Sequence, residues 1–510
     1  MQLGFVIDHS RCIGCHACTV ACKSENDVPL GSFRTWVKYT EEGQFPQVKR
    51  SFAVLRCNQC TKPPCVDICP TGALKKGADG IVDINPAACI GCKSCMHGCP
   101  YDALYINPDT GTAQKCHFCA HRTEVGLAPA CAVVCPTEAI IPGDFDDPNS
   151  RVSQLRKAGA TQARKVEAGT GPNVFYKEVA EAGIQPNLTS SAGGYLWSQP
   201  LPNVQLQAER ALQDELEAKA KARTVYNVDH PPLWGGKIVG YLFTKSLAAG
   251  LFLAALPLVA PFGGALGGGA LLAVLALALF FLTATTGLLI GDLKRPDRFY
   301  YLLTRGNWKS WLVKGTVFLM GYGALLSLYA LLVVLGQHGS GFGQAVAFLT
   351  LPFATGAAVY TAWLFGQAKG RVFWMKRGLA AQLFGQALLA GGAGMLLLVP
   401  LLGLDAESAE IVRWIACLGL ALHGLFTLAE AKLSPPKREV EYARVAHLIS
   451  HGIFAKRHWG IGVALGLVLP AVLWLVPVPA LWTLGALAAL IGLYSEEDLL
   501  VRAGQALPIS

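Results

Sequence analysis

Sixteen of the seventeen cysteines stand in the first 135 residues, in four groups of four. The first is Cys12, Cys15, Cys18 and Cys22, spaced C-x2-C-x2-C-x3-C. The second is Cys57, Cys60, Cys65 and Cys69, the third Cys89, Cys92, Cys95 and Cys99, and the fourth Cys116, Cys119, Cys131 and Cys135. A proline follows the last cysteine of groups two to four. A cubane iron–sulfur cluster needs four thiolates around one small volume, and the cysteine before proline commonly serves a different cluster from its neighbours. Sixteen thiolates fit four [4Fe–4S] clusters with none left over. Zinc ribbons use paired C-x2-C but not this run. Disulfide scaffolds belong to small secreted proteins. Residues 1–10 show neither an apolar signal core nor a twin-arginine motif, so the chain is expected to start in the cytoplasm. Cys417 stands apart in an apolar stretch and reads as a small packing residue.

Hydrophobicity divides the chain. Residues 1–230 carry most of the charge, whereas 235–495 are dominated by Leu, Ala, Gly, Val and Phe. Apolar stretches of bilayer-spanning length recur there. Eight spans are expected, near 237–261, 266–291, 312–335, 344–366, 380–403, 410–430, 459–477 and 480–495. The last two are parted only by Val476-Pro477-Val478-Pro479. Gly391, Gly392 and Gly394 allow close helix packing.

The loops are asymmetric. Those after spans two, four and six hold sixteen basic residues, among them Lys294, Arg295, Arg298, Lys369, Arg371, Lys376, Arg438 and Arg444. The opposite loops hold essentially one, Arg413. The positive-inside rule puts the sixteen in the cytoplasm, with both termini and the cysteine-rich domain. The net charge of +9 therefore needs no nucleic acid to explain it.

Residues 1 to about 180 resemble the four-cluster electron-transfer subunit of molybdopterin oxidoreductases, the group of the DMSO, polysulfide and tetrathionate reductases. The carrying segments are Cys12-Ile13-Gly14-Cys15-His16-Ala17-Cys18, Cys57-Asn58-Gln59-Cys60 with Pro63-Pro64-Cys65, Cys89-Ile90-Gly91-Cys92, and Cys116-His117-Phe118-Cys119 with Pro129-Ala130-Cys131. The membrane half resembles the polysulfide-reductase-type quinone-binding anchor, through the segments 292–299, 310–312 and 360–370. The two parts are separate polypeptides in many such systems and are fused here. The resemblance implies how ligands are shared. Cys12, Cys15 and Cys18 would pair with Cys135, and Cys116, Cys119 and Cys131 with Cys22. Cys57, Cys60 and Cys65 would pair with Cys99, and Cys89, Cys92 and Cys95 with Cys69.

The expected fold is therefore a two-part chain. An α+β double ferredoxin-like [4Fe–4S] domain (1–185) is followed by a linker with a short helix near 205–222 (186–233). An all-α polytopic membrane domain of about eight transmembrane helices (234–510) completes it.

Polar residues inside apolar spans cost roughly 2.5–3.5 kcal/mol each at a helix centre and invite a functional reading. Lys245 lies inside span one, Asp292 closes span two, Tyr360 and Gln367 lie on span four, and Glu430 ends span six. His230 stands just before the membrane, at a suitable depth for a quinone headgroup. Each has a plainer reading. Lys245 could snorkel, Asp292 and Glu430 could pair with loop arginines, and His423 could be a packing histidine. Trp234, Trp308 and Trp311 read as interfacial anchors. No haem is expected, because only His423 lies well within a span.

No Walker loop, dinucleotide fingerprint or nucleophile elbow occurs, so the substrate-transforming centre is expected on another polypeptide. By resemblance this partner is a large molybdopterin (Mo/W) catalytic subunit, oxidising a donor such as sulfite or formate. Electrons would flow through four clusters to menaquinone or ubiquinone in the inner membrane. The rival readings are quinol oxidation feeding a DMSO, polysulfide or tetrathionate type reductase, and a proton-translocating module.

Overall fold

The computed structural model describes residues 1–190, 222–228, 230–259 and 266–510. The helix expected near 205–222 lies outside the described residues.

The cysteine loops share one backbone device. The residue before the second cysteine of each group is left-handed: Gly14 (φ 71°), Gln59 (41°), Gly91 (66°) and Phe118 (61°). This conformation costs little for glycine and more for other residues. Gln59 is compensated by its side chain, whose Nε2 donates to the Cys116 carbonyl at 2.9 Å and whose Oε1 accepts from the Val82 amide at 2.8 Å.

Short helices follow the loops, at Ala17–Glu25, Pro64–Ile68, Ser94–Gly98 and Ala130–Val133. Two hairpins follow Cys69-Pro70 and Cys99-Pro100: Leu74–Lys76 with Val82–Ile84, and Leu104–Ile106 with Ala113–Lys115. Each repeat thus reads loop, helix, Cys-Pro, hairpin, the internal duplication of a double ferredoxin.

Two four-stranded sheets flank this unit. In one, Leu3–Asp8 lies between antiparallel Ile140–Asp144 and parallel Val174–Lys177, with Thr161–Gln162 at the edge. In the other, Thr35–Glu42 pairs antiparallel with Lys49–Arg56. Their inner faces bury Phe5, Trp36, Val174 and Tyr176. Strand Ala222–Tyr226, within the segment read as linker, adds to the second sheet beside Thr35–Glu42. The chain therefore returns to the cluster domain before it enters the membrane half.

Among the described residues, seven helices are long and apolar enough to cross a membrane. They are Gly236–Leu258, Gly268–Asp292, Trp311–Val334, Gly341–Gln367, Leu379–Leu402, Ala406–Leu428 and Ala455–Leu475. An eighth helix, Pro479–Ala503, runs back against the seventh. Glu496, Glu497, Asp498 and Arg502 in its last turns set it apart in composition. The first helix is the most enclosed, with 83% of its apolar window buried, against 28% for the second. It crosses the fifth at Gly250 and Gly391. A Cβ on Gly391 would sit 1.9 Å from the Gly250 carbonyl oxygen, so only glycine lets the two backbones meet.

The basic loops grip the cluster domain. The Lys294 and Arg295 amides donate to the Gly91 and Ile90 carbonyls, and Arg298 donates to the Pro86 and Cys89 carbonyls at 2.7 and 3.0 Å. Gly370 in the next loop donates to the His97 carbonyl at 2.9 Å. In the third, Arg444 donates to the Asn187 carbonyl, and Glu441 accepts from Lys165 at 3.4 Å. The C-terminal Ile509 carbonyl accepts from Arg164 at 3.3 Å. All three basic loops and the C-terminal segment therefore lie on the cluster side of the bundle.

Candidate electron-transfer site: four cysteine quartets and a membrane cavity

The fold regroups the sixteen cysteines. Cys12, Cys15, Cys18 and Cys135 line one enclosed space, the first quartet. Cys22, Cys116, Cys119 and Cys131 line the second. Cys57, Cys60, Cys65 and Cys99 face one another as the third. Cys69, Cys89, Cys92 and Cys95 line the fourth. Each quartet takes three thiols from one motif and one from elsewhere, which is the sharing that the resemblance implies.

The donor set fits a cubane cluster. Among the described residues, no three His, Cys, Asp or Glu close tightly around the position of a single ion. The quartets surround spaces rather than points. Burial pushes the Cys18 thiol up to about 11 and raises Cys65 and Cys95 well above the ordinary thiol range. Such crowded thiols need a strongly charged metal group to become ligating thiolates.

The quartets form a file. Cys15 of the first is exposed, beside exposed Ile13 and Val20. Arg56 faces Cys18 of the first and Cys131 of the second. Cys57 of the third faces Cys116 of the second, and Cys95 of the fourth faces Cys65 of the third. Cys92 of the fourth lines a largely apolar cavity that opens into the membrane half.

That cavity lies between the cluster-side ends of the first four membrane helices. Its polar wall is Ser94, Trp234, Tyr241, Asp292, Thr316 and Tyr360. Lys93, the neighbour of Cys92, places its Nζ 2.9 Å from both carboxylate oxygens of Asp292. The pair is largely buried, at 7% and 14% side-chain exposure. A buried pair of this kind is costly to break from one side. The Tyr241 hydroxyl donates to Thr361 Oγ1 at 3.1 Å, and Tyr360 joins the same hydrogen-bonded group.

Of the residues read from the sequence, Asp292 and Tyr360 line the cavity. Lys245 lies deeper in the first helix, 1% exposed, donating to the Ala358 carbonyl with its Nζ 5.6 Å from the Tyr360 ring centre. It does not snorkel. The other three are placed elsewhere. His230 Nδ1 is 3.0 Å from Asp102, with its ring against Trp36. Gln367 ties the Trp311 amide and the Lys309 carbonyl together. Glu430 accepts from Lys376 at 2.6 Å and from Tyr442. Trp234, read as an interfacial anchor, is instead 6% exposed, lines the cavity and packs on His97. Sequence reasoning missed Tyr241, Lys93, Arg56 and Glu497. Glu497 is fully buried, accepts from Ser246 at 3.1 Å, and leaves Oε2 unpartnered. Glu497 stands in the acidic run Glu496-Glu497-Asp498, which carries no local signal that it turns inward.

Fold and site define an iron–sulfur relay joined to a polytopic membrane anchor. Residues 224–508 match the family described as polysulphide reductase, NrfD, and residues 48–145 match a 4Fe-4S dicluster domain. The chain belongs to the NrfD polysulphide reductase family, with the iron–sulfur domain fused ahead of the membrane domain. Its cluster domain is similar to protein NrfC of Escherichia coli, 44% identical over 36% of this chain and 85% of that protein. A tetrathionate reductase subunit of Salmonella typhimurium is 43% identical, over 39% of this chain and 80% of its own length. A polysulfide reductase polypeptide of Wolinella succinogenes is 40% identical, over 36% and 98%. The chain is thus an iron–sulfur electron-transfer subunit and a multi-pass membrane anchor in one polypeptide.

Proposed function

We propose that the chain passes electrons between a molybdopterin (Mo/W) catalytic subunit seated over the first quartet and quinone bound in the cavity beside the fourth. One observation carries this reading: Cys92 lines both the last quartet's space and the cavity, and the Lys93–Asp292 pair ties the wall of the one to the wall of the other. When bound, the four [4Fe–4S] clusters supply one-electron carriers of tunable potential. The protein holds them in file, open to a partner at Cys15 and buried at Cys65 and Cys95.

Quinone reduction consumes two electrons and two protons. The cavity supplies an apolar slot with a carboxylate and two phenols on its wall, the mixture that a quinone headgroup requires. Asp292, oriented by Lys93, is the proton-exchanging group. Tyr241, held by Thr361, and Tyr360 orient the headgroup oxygens by hydrogen bonding.

The basic loops, all on the cluster side, favour a cytoplasmic iron–sulfur domain in the inner membrane. A cytoplasmic catalytic site suits oxidation of an internally produced donor such as sulfite or formate, with electrons running to menaquinone or ubiquinone. We read residues 1–185 as the electron-transfer domain, 186–233 as the connection and 234–510 as the anchor.

Purification of the native complex in mild detergent tests the reading. A co-purifying molybdopterin subunit, with about sixteen iron atoms on this chain, is expected. A chain that purifies alone, or with transport proteins only, contradicts it.

A further inference from the structure

Arg56 is 0% exposed, although it carries a permanent charge. Its Nη1 donates to Cys131 Sγ at 3.2 Å, while Nε and Nη2 have no hydrogen-bond partner. No carboxylate pairs with it among the described residues, and its guanidinium carbon lies 4.4 Å from the Phe5 ring centre. Arg56 lines the space of the second quartet. A buried, unpaired cation is expensive unless an anion compensates it. Among the described residues no carboxylate serves the site, and the anion that would compensate Arg56 is a cluster with its four thiolates.

The second quartet is distinguished further. Asn26 Nδ2 lies 3.8 Å from both Cys22 Sγ and Cys119 Sγ. Three of its four sulfurs therefore face side-chain N–H donors. Lys115, 2% exposed, stands between the second and third quartets, facing Cys57 and Cys65 of the third and Cys116 of the second, and donates to the Cys116 carbonyl at 2.8 Å and to the Val82 carbonyl, so it favours neither quartet over the other. The third quartet has Lys115 but, among the described residues, no guanidinium beside it, and the first and fourth differ further. Cys135 Sγ in the first takes the Ala139 amide at 3.2 Å. Cys89 Sγ in the fourth takes the Gly91 and Ala113 amides at 3.4 Å. The cation beside the fourth quartet, Lys93, is matched by Asp292 at 2.9 Å.

We infer that Arg56, assisted by Asn26, makes the second quartet the highest-potential station of the relay, where a single electron rests while the two ends of the chain exchange with their partners. The inference rests on cluster occupancy of the quartets and not on the identity of either partner. Reduction adds one negative charge to a cluster. An adjacent uncompensated cation and hydrogen bonds to its sulfurs favour the reduced form. Low local dielectric strengthens the effect. Arg56 is a positioning residue of charge and touches no substrate.

The test is a redox titration of the purified, iron-loaded full chain, followed by electron paramagnetic resonance, with iron content measured for each variant. In Arg56→Gln the highest-potential signal is expected to fall, with at least a tenfold loss in its reduction equilibrium, about 59 mV for one electron. Arg56→Lys should restore most of the shift. Asn26→Leu, which leaves Arg56 in place and takes from Arg34 Nη1 its 3.2 Å acceptor while Nε and Nη2 keep Tyr105 and Gln114, should lower the same signal by less. Of the three other signals, that of the first quartet, whose Cys18 also faces Arg56, should move by less, and those of the third and fourth should stay in place. If Arg56→Gln assembles fewer than four clusters, Asn26→Leu decides. An unmoved highest-potential signal in Arg56→Gln, or in Asn26→Leu where Arg56→Gln fails to assemble, or an equal shift of all four signals, overturns the inference.

Discussion

Asp292 is where the two halves of the chain meet chemically. It is largely buried on the cavity wall and held by Lys93 at 2.9 Å. Asp292→Asn keeps the shape and removes the carboxylate proposed to exchange protons with the quinone. Quinone turnover should then fall by about 10²-fold or more, the usual weight of a positioned acid or base. Iron content and reduction of the clusters by dithionite should be unchanged, and both are measurable on one preparation. His9 gives a second residue-level prediction. Its Nε2 accepts from the Val54 amide at 3.1 Å, and burial pushes its pKa down to about 4. An unfolded histidine titrates near 6.5. Between those values the unfolded chain takes up a proton that the folded chain refuses. Stability therefore falls as pH drops through this window, by about 3 kcal/mol at most. His9→Gln should flatten the acid limb of cluster loss in denaturant titrations. An unaltered limb would place the acid sensitivity elsewhere.

At the scale of elements, short loops determine whether the relay connects. Gly370 sits where the loop after the fourth membrane helix presses on the cluster domain. A Cβ there would come 2.5 Å from the Cys99 carbonyl oxygen and 2.7 Å from that of His97. Gly370→Val should push the domains apart while leaving each folded. Iron content should persist, and cluster reoxidation by quinone should slow at least tenfold. Gly391→Val acts differently. At the crossing of the first and fifth membrane helices it has no room, and overpacking of this kind costs about 1–3 kcal/mol or more. A lower melting temperature in detergent is the expected readout.

These elements also show what could be read from sequence. The cysteine spacing carried the four motifs because iron–sulfur ligation constrains spacing directly, whereas the exchange of one cysteine between motifs came from the resemblance. Apolar length carried the spans, and the basic loops foretold the face on which the cluster domain docks. Strand Ala222–Tyr226 was not legible, since its partner Thr35–Glu42 lies about 190 residues away and strand pairing at that distance leaves no local pattern. His230 was misplaced for a related reason. Its depth in the chain fitted a headgroup contact, but Asp102, far off in sequence, holds it aside. Trp234 looked like an anchor because tryptophan at a membrane edge usually is one. Only packing against His97 and Trp374 shows that the cluster domain covers that edge.

Over the whole molecule, the file of quartets has one exposed end and one end buried against the membrane bundle. The first membrane helix is the common support, with Tyr241 at the cavity and Lys245 deeper. The eighth helix brings Glu497 to Ser246 of that same helix. Fusion fixes the anchor to the relay covalently, and the basic loops fix its orientation. The most direct measurement is the reoxidation of the dithionite-reduced full chain by a short-chain menaquinone analogue in stopped flow, wild type beside Tyr360→Trp, which fills the cavity. The relay predicts fast reoxidation in the wild type and at least a tenfold slower rate in the variant at equal iron content. Equal rates in both proteins would contradict electron exit through the cavity at Cys92.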